Sequence, residues 1–150
     1  MIFIYSMPFL EKQLIIKKSK LPAAGKGLFT KKKIEKGTRI VEYKGKIQPW
    51  KEVKHEDGHN AYLMYINRST VINAKPTLKS LARYANDANG LIKVEGLRNN
   101  CESISEGRKC FIDAKRDIEA GEEILVGYGS WFWTLQRKLI KERLKQKRKG

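Results

Sequence analysis

The sequence predicts a single domain that is mainly β with minor α. Short runs rich in β-branched and aromatic residues recur between turn residues, which is typical of many short strands. Only the C-terminal end spaces its apolar residues as a helix does. The chain has 150 residues, of which 41% are hydrophobic and 9% aromatic, enough to bury a core. No apolar run approaches the ~18 residues that a membrane span needs.

Predicted strands occupy residues 13–18, 39–44, 61–66, 70–74, 109–114 and 124–126. Residues 51–60 are polar, and residues 86–100 are rich in Asn, Asp and Gly, so both segments are predicted loops. Residues 78–84 are predicted to form one or two helical turns. Residues 1–12 are an apolar lead-in for which the sequence suggests no role.

The C-terminal segment, residues 134–150, is predicted to be a basic helix because its leucines and Ile140 form a helical stripe. It contains eight Lys or Arg residues and one Glu. A solvated helix end whose cations suit the helix dipole would explain any one of them, but their density suggests a polyanion contact. The predicted contact residues are Arg137, Lys138, Lys141, Arg143, Lys145, Lys147, Arg148 and Lys149.

The overall charge also points to acidic partners. The formal net charge is +16, from 32 Lys and Arg against 16 Asp and Glu, which favours nucleic acid or an acidic protein surface. The N-terminus lacks the features of a signal peptide, so a cytoplasmic protein is expected, associated with a nucleoid or chromatin if the charge acts on DNA. Cys101 and Cys110 are too few for a disulfide framework and are expected to be reduced and buried.

Two polar clusters and one tyrosine are candidate functional groups. Tyr128 lies between Gly127 and Gly129, which let the backbone bend and another group approach the ring. Glu122 and Glu123 follow a turn glycine and are interpreted as structural. His55 and His59 are four residues apart in a polar segment, where an exposed loop is favoured over a metal site.

The order of several motifs resembles the SET-domain protein lysine methyltransferases. A glycine turn comes first, then a Tyr-x-Gly segment, two paired strands, and two segments similar to those that form the family's knot-like active site. Each motif is commonplace alone, but the ordered set over residues 13–133 is specific. The motifs are Gly25-Lys26-Gly27-Leu28-Phe29 with Ile34-x-Lys36-Gly37-Thr38, Tyr43-Lys44-Gly45, residues 62–64 and 71–74, Arg83-Tyr84-Ala85-Asn86 with Asn100-Cys101, and Gly121-Glu122-Glu123-Ile124 to Tyr128-Gly129.

This resemblance implies a SET-domain β-clip fold of several small sheets, with a threaded segment followed by the basic helix. It implies S-adenosylmethionine as the methyl donor, S-adenosylhomocysteine as the product, and no metal. Tyr128 matches the catalytic tyrosine, and Tyr43 matches a wall of the lysine channel. The implied cofactor-binding residues are Lys26, Gly27, Leu28, Tyr62, Arg83, Asn86, Asp87 and Trp133; for Trp133, a core anchor for the helix is an equal alternative.

The residue types suit this chemistry. A lysine ammonium has no lone pair, and keeping the amine neutral at pH 7 costs about 4.6 kcal/mol for a pKa near 10.4. An apolar, aromatic channel and a nearby sulfonium both disfavour the charged form. Positioning of the neutral amine in line with the methyl group would then supply most of the acceleration.

The chain departs from the family pattern in three places. Asn86-Asp87-Ala88 stands where the family has Asn-His-Ser, and the interval from Asn86 to Asn100 is longer than usual. The Cys-x-Cys pattern of a zinc-binding cap is missing, so residues 131–133 and the helix are expected to cover the lysine channel.

The sequence therefore predicts a protein-lysine N-methyltransferase that acts on a histone-like or nucleic-acid-associated protein. The alternative is a catalytically inactive SET-fold module that binds nucleic acid or protein. The substrate protein, the number of methyl groups added and the oligomeric state stay open.

Overall fold

The computed structural model describes residues 9–56, 62–67, 69–77, 79–90, 93–128 and 130–149, with only the helical backbone described for residues 130–136. Three small antiparallel sheets form the body. The strands are β1 Leu14–Lys18, β2 Lys26–Thr30, β3 Arg39–Glu42, β4 Lys46–Pro49, β5 Leu63–Tyr65, β6 Thr70–Asn73, β7 Cys101–Glu106 and β8 Lys109–Ala114. The first sheet pairs β1 with β2, the second has the order β3-β8-β7, and the third has the order β4-β6-β5.

Helix is scarce before residue 130, as predicted. A short helix, α1, spans Trp50–Val53, and 3₁₀ turns span Glu11–Gln13, Lys54–Glu56 and Leu81–Tyr84. The long helix α2 spans Ser130–Lys149. No helix in the described ranges is long and apolar enough to cross a membrane.

Three strands and one short helix differ from the sequence prediction. The strand β2 was missed because Gly25 to Phe29 was interpreted as a glycine turn. The prediction of a loop at residues 51–60 was wrong for its first half, which forms α1 and a 3₁₀ turn because Val53 is buried beneath Trp50 and Tyr65. The strands β4 and β7 were missed because most of their side chains are polar or exposed. Gly107, with a φ of +62°, turns β7 back along β8, and this turn residue is the signal that could have located β7.

The largest core cluster joins the first two sheets to the turns between them. Leu28, Ile40 and Ile112 are completely buried and come from β2, β3 and β8. Ile34 and Ile118 exchange two backbone hydrogen bonds of 2.8 Å. Apolar side chains and paired backbone groups therefore hold the two turn segments together.

The segment after Gly121 threads between two distant parts of the chain. The Val126 amide donates to the Asn86 carbonyl at 2.8 Å, and the Cys101 amide donates to the Leu125 carbonyl at 3.0 Å. Parallel bridges accordingly join Leu125 to Asn86 and Val126 to Cys101. The predicted strand at 124–126 is thus a series of bridges to residues on either side, so this segment crosses between the chain near residue 86 and the chain near residue 101.

Gly45 lies where two backbone segments are in close contact, so its substitution tests the packing of the protein body. A Cβ at Gly45 would lie 2.5 Å from the Asn73 carbonyl oxygen and 2.9 Å from the Ala74 nitrogen. These backbone atoms cannot rotate away, so we expect Gly45→Ala to lower the free energy of unfolding by about 2 kcal/mol or more in urea titrations. Gly107→Ala is the control because its Cβ would meet no atom within 4 Å; only its positive φ would cost free energy, about 1 kcal/mol. Equal losses in both variants would contradict the steric account.

Candidate active site

Two cavities meet at Tyr128 and Arg83. The larger is an open cleft of about 220 Å³. The smaller is a narrow cavity with about 10 Å³ of free volume. The cleft is lined by Ala24, Gly25, Lys26, Tyr62, Arg83, Tyr84, Asn86 and Tyr128. The narrow cavity is lined by Tyr43, Leu63, Met64, Tyr65, Arg83, Ala85 and Tyr128.

The cleft brings together three residues that are far apart in sequence. Lys26 lies within the glycine-turn motif, Asn86 lies on one side of the crossing, and Tyr128 ends the threaded segment. The Asn86 side-chain amide donates to the Lys26 carbonyl at 3.0 Å. The turn, the amide and the phenol therefore surround one space.

Tyr128 is held at both its backbone and its hydroxyl. Its amide donates to the Asp87 carboxylate at 2.8 Å, and its phenol donates to the Ala85 carbonyl at 2.6 Å. Burial raises the pKa of Tyr128 well above its usual value, and the negative charge of Asp87 adds to this shift. The phenol consequently stays neutral and directed at physiological pH.

Asp87 supports Tyr128 from behind the cleft. Its side chain is 6% exposed and does not line the cleft. Its second oxygen accepts from the Asn89 amide and from the Asn99 side chain, both at 2.8 Å. Asn99 in turn accepts from the Ala88 amide at 2.8 Å. Asp87 is thus satisfied by protein donors, and it orders the loop at the position where the family pattern has His.

Glu123 connects the glycine turn to the threaded crossing. This residue is 3% exposed, and its carboxylate accepts from the Ser19 hydroxyl at 2.6 Å and from the Lys20 amide at 2.9 Å. The Asn86 side chain is 3.4 Å from the same carboxylate. A Cβ at Gly27 would collide with Glu123, so β2 approaches this carboxylate closely only because residue 27 is glycine. The structural interpretation of Glu123 agrees with these contacts.

Arg83 stands in the wall that the two cavities share. Its guanidinium lies 4.2 Å from the ring centre of Tyr62 and 5.1 Å from that of Tyr84. One terminal nitrogen donates to the carbonyls of Ala74 and Lys75 at 3.0 and 3.1 Å. Its Nε is buried and has no hydrogen-bond partner. These rings and carbonyls carry no net charge, and within the described part of the chain no carboxylate forms an ion pair with Arg83.

The narrow cavity has apolar and aromatic walls. Tyr43 is 5% exposed, and burial raises its pKa well above the usual value, although the charge of Arg83 acts in the opposite direction. Leu63 and Met64 add apolar surface. Such a cavity favours a neutral guest over a charged one.

Gly27, Leu28 and Trp133 were also predicted to bind the cofactor. Gly27 and Leu28 lie in β2, next to the cleft but outside its lining. The Leu28 side chain is completely buried, and its carbonyl accepts from the Ile124 amide at 2.7 Å. Trp133 lies within α2, and its side chain is outside the described residues, as are those of the neighbouring aromatics predicted to cover the channel.

The other candidate groups lie away from the cavities. Burial raises the pKa of Cys101 to about 12 and that of Cys110 to about 11, so both stay as thiols. His55 lies within the 3₁₀ turn Lys54–Glu56, and His59 is outside the described residues. The described ranges contain no group of three or more metal-binding side chains. The predicted polyanion-binding residues of α2, from Arg137 to Lys149, are all exposed.

Comparison with known proteins agrees with this architecture. The family model described as "SET domain" matches residues 25–129. A histone-lysine N-methyltransferase EZH2 from Chaetomium thermophilum is 31% identical over 86% of this chain, which spans 9% of that protein. The N-lysine methyltransferase KMT5A-A from Xenopus laevis is 26% identical over 76% of this chain and 36% of its own length. A humanized Chaetomium thermophilum Polycomb Repressive Complex 2 with a bound inhibitor superposes with a TM-score of 0.60 at 26% identity, over 77% of this chain and 15% of that one.

The small antiparallel sheets, together with the family model and the structural match, place this fold in the class of SET domains. The chain belongs to the SET-domain family. It spans about a tenth of one of these relatives and about a third of the other.

Removal of the Glu123 charge should loosen the link between turn and crossing. We expect Glu123→Gln to lower the free energy of unfolding by about 1–3 kcal/mol, because the Gln amide would face donors that need an acceptor. Glu122→Gln is the matched control, since its carboxylate bonds with Arg116 and the Glu119 amide at the surface and surface pairs contribute about 1 kcal/mol or less. Urea denaturation of both variants measures the difference, and losses of similar size would refute this role for Glu123.

Proposed function

We propose that this domain transfers a methyl group from S-adenosylmethionine to the side-chain amine of a lysine in a protein substrate. The meeting of an open cleft and a narrow aromatic cavity at Tyr128 carries the proposal. A transfer between two bound molecules needs this arrangement, because donor and acceptor must approach one point along separate paths. The names of the relatives, both lysine methyltransferases, support the same reaction.

The cleft has suitable partners for the amino-acid end of the donor. The Lys26 carbonyl and the Asn86 side chain offer an ammonium group an acceptor and a polar neighbour. Arg83 lines the same cleft, and a guanidinium is a donor group of the kind that binds a carboxylate. Opposite charges would thus be recognised at two places in one cleft. When bound, the donor supplies an electrophilic methyl on a sulfonium.

The narrow cavity would take the lysine side chain once its walls move apart, because its free volume of about 10 Å³ holds about one water molecule. It would then favour the neutral form of the amine. Its walls shield the amine from water, which disfavours an ammonium. Arg83 adds a positive charge to the same wall, and this charge repels an ammonium further. The neutral Tyr128 phenol is already held by the Ala85 carbonyl, so it can orient the amine without changing its own protonation state.

The charge of the protein favours a substrate that is bound to nucleic acid. A chain with a net charge of +16 repels a free basic tail, whereas a polyanion attracts both proteins. A histone-like or other nucleic-acid-associated protein is therefore the proposed substrate class, at a nucleoid or on chromatin. The alternative, an inactive SET-fold module that binds nucleic acid or protein, would leave the paired cavities without a use.

Loss of the Tyr128 hydroxyl should slow methyl transfer strongly while the donor still binds. We expect Tyr128→Phe to lower the transfer rate on the order of 100-fold, as removal of one oriented hydrogen-bonding group does elsewhere. Mass spectrometry of cell extract incubated with isotope-labelled S-adenosylmethionine reads out methylated lysines and identifies the substrate. Calorimetry should show donor binding for both forms of the protein. A wild-type protein that produces no heat with the donor would instead support the inactive module.

The charge of Arg83 should appear in the pH dependence of transfer. Without it the bound substrate amine would lose its proton at higher pH, so we expect the acidic limb of kcat, which reports the enzyme–substrate complex, to move up by about one pH unit in Arg83→Met, a tenfold loss near pH 7. Arg83→Lys keeps the charge and is the control, with a limb close to that of the wild type. A loss of equal size at every pH in Arg83→Met would mean that Arg83 acts only by shape or by donor binding.

A further inference from the structure

The basic part of α2 stands clear of the protein body. Among the described side chains from Arg137 to Lys149, only Leu139 is partly buried, and all the others are exposed. Ile140 and Leu144 are 39% and 51% exposed. A helix that is exposed on nearly every side gains little stability from packing, so its sequence is free to serve an external partner.

The cations of this helix gather on one side. At 100° per residue, six of them fall within an arc of about 120°, with Glu142 at one edge and Ile140 and Leu144 beyond the other. Arg143 and Lys147 lie outside the arc. The six residues that form this cationic face are Arg137, Lys138, Lys141, Lys145, Arg148 and Lys149.

The charge density of the cationic face is close to that of one nucleic-acid strand. Residues 137–149 extend about 18 Å at 1.5 Å per residue, so its six cations are on average about 3.6 Å apart along the helix axis. The phosphates of one strand follow each other at about 3.4 Å along the duplex axis. The cationic face can therefore neutralise several phosphates of a duplex.

The composition of residues 137–149, which follow the three aromatic residues at 131–133 of α2, favours a duplex over other polyanions. Residues 137–149 include no aromatic side chain, so this stretch has no platform on which the bases of a single strand could stack. Interfacial membrane helices combine their basic face with a broad apolar face that carries Trp, Phe or Leu. Here three aliphatic residues, Leu139, Ile140 and Leu144, are the whole apolar content.

We propose that the cationic face of α2 docks the domain on the phosphate backbone of duplex nucleic acid, without sequence preference. The docking itself is independent of methyl transfer. Its consequence for catalysis rests on the proposed function: the domain would be concentrated on the polymer that carries its protein substrate.

Two pairs of substitutions with equal net charge test the face. Lys141→Gln with Lys145→Gln removes two charges from the cationic face, and Arg143→Gln with Lys147→Gln removes two from outside it. Fluorescence anisotropy with a labelled duplex DNA of about 20 base pairs measures the affinity of each purified protein over a series of salt concentrations. Circular dichroism checks that both variants keep their helix.

We expect the on-face pair to reduce the slope of log affinity against log salt by about 1.8, since each lost phosphate contact removes about 0.9. Its affinity should fall about 60-fold near 0.1 M salt, because a slope change of 1.8 amounts to about 1.8 log units between 1 M and 0.1 M. The off-face pair should change slope and affinity by less than half as much. Equal effects of the two pairs would refute a defined face, because both remove the same net charge. An unchanged slope in the on-face pair would refute docking through α2.

The same kind of binding measurement distinguishes a duplex from other binding partners of the cationic face. Tighter binding to vesicles containing phosphatidylserine than to the duplex, with loss on Ile140→Gln and Leu144→Gln, would overturn the proposal in favour of a membrane surface. Tighter binding to polyglutamate would overturn it in favour of an acidic protein. All of these arms omit the methyl donor, so their failure is distinct from a failure of the proposed catalysis.

Discussion

The carboxylate of Glu123 is the constraint on which the active site depends. A buried carboxylate is stable only when donors surround it, and here the donors come from Ser19 and Lys20, more than 100 positions away in the chain. Satisfying this one group therefore brings the glycine turn against the threaded segment. Asn86 lies beside the same carboxylate and contacts Lys26. One buried charge thus joins three walls of the cleft.

A second carboxylate performs the corresponding task for the phenol. The Asp87 carboxylate accepts hydrogen bonds from the amides of Asn89 and Tyr128 and from the side chain of Asn99. One carboxylate therefore fixes both the loop after Asn86 and the end of the threaded segment. The Ala85 carbonyl then directs the Tyr128 hydroxyl. Backbone and carboxylate groups thus position the phenol. The substitution of the family's His by Asp87 is therefore compatible with an ordered site.

The molecule separates its charges from its narrow cavity. The described residues that line this cavity are apolar or aromatic, with Arg83 as the one charged member, whereas the dense cationic run lies on an exposed helix that ends the chain. Low polarity near the reacting atoms strengthens each oriented dipole. Exposed cations act at longer range and are screened by salt. Recognition of a polyanion and chemistry on an amine can consequently occur in one small domain without interfering.

The sequence by itself determined the class of fold and the strand at 109–114, and it named several residues that line the cleft, because ordered glycine, asparagine and tyrosine motifs are local and can be read along the chain. It also located the C-terminal helix from the spacing of its leucines. Tertiary structure alone decided that Asp87 and Asn99 support Tyr128 from behind, and that β4 and β7 form from mostly polar segments. These outcomes depend on hydrogen bonds between residues distant in sequence and on the pairing of whole strands. A buried acceptor and a polar edge strand look like ordinary surface residues until their partners are placed beside them in space.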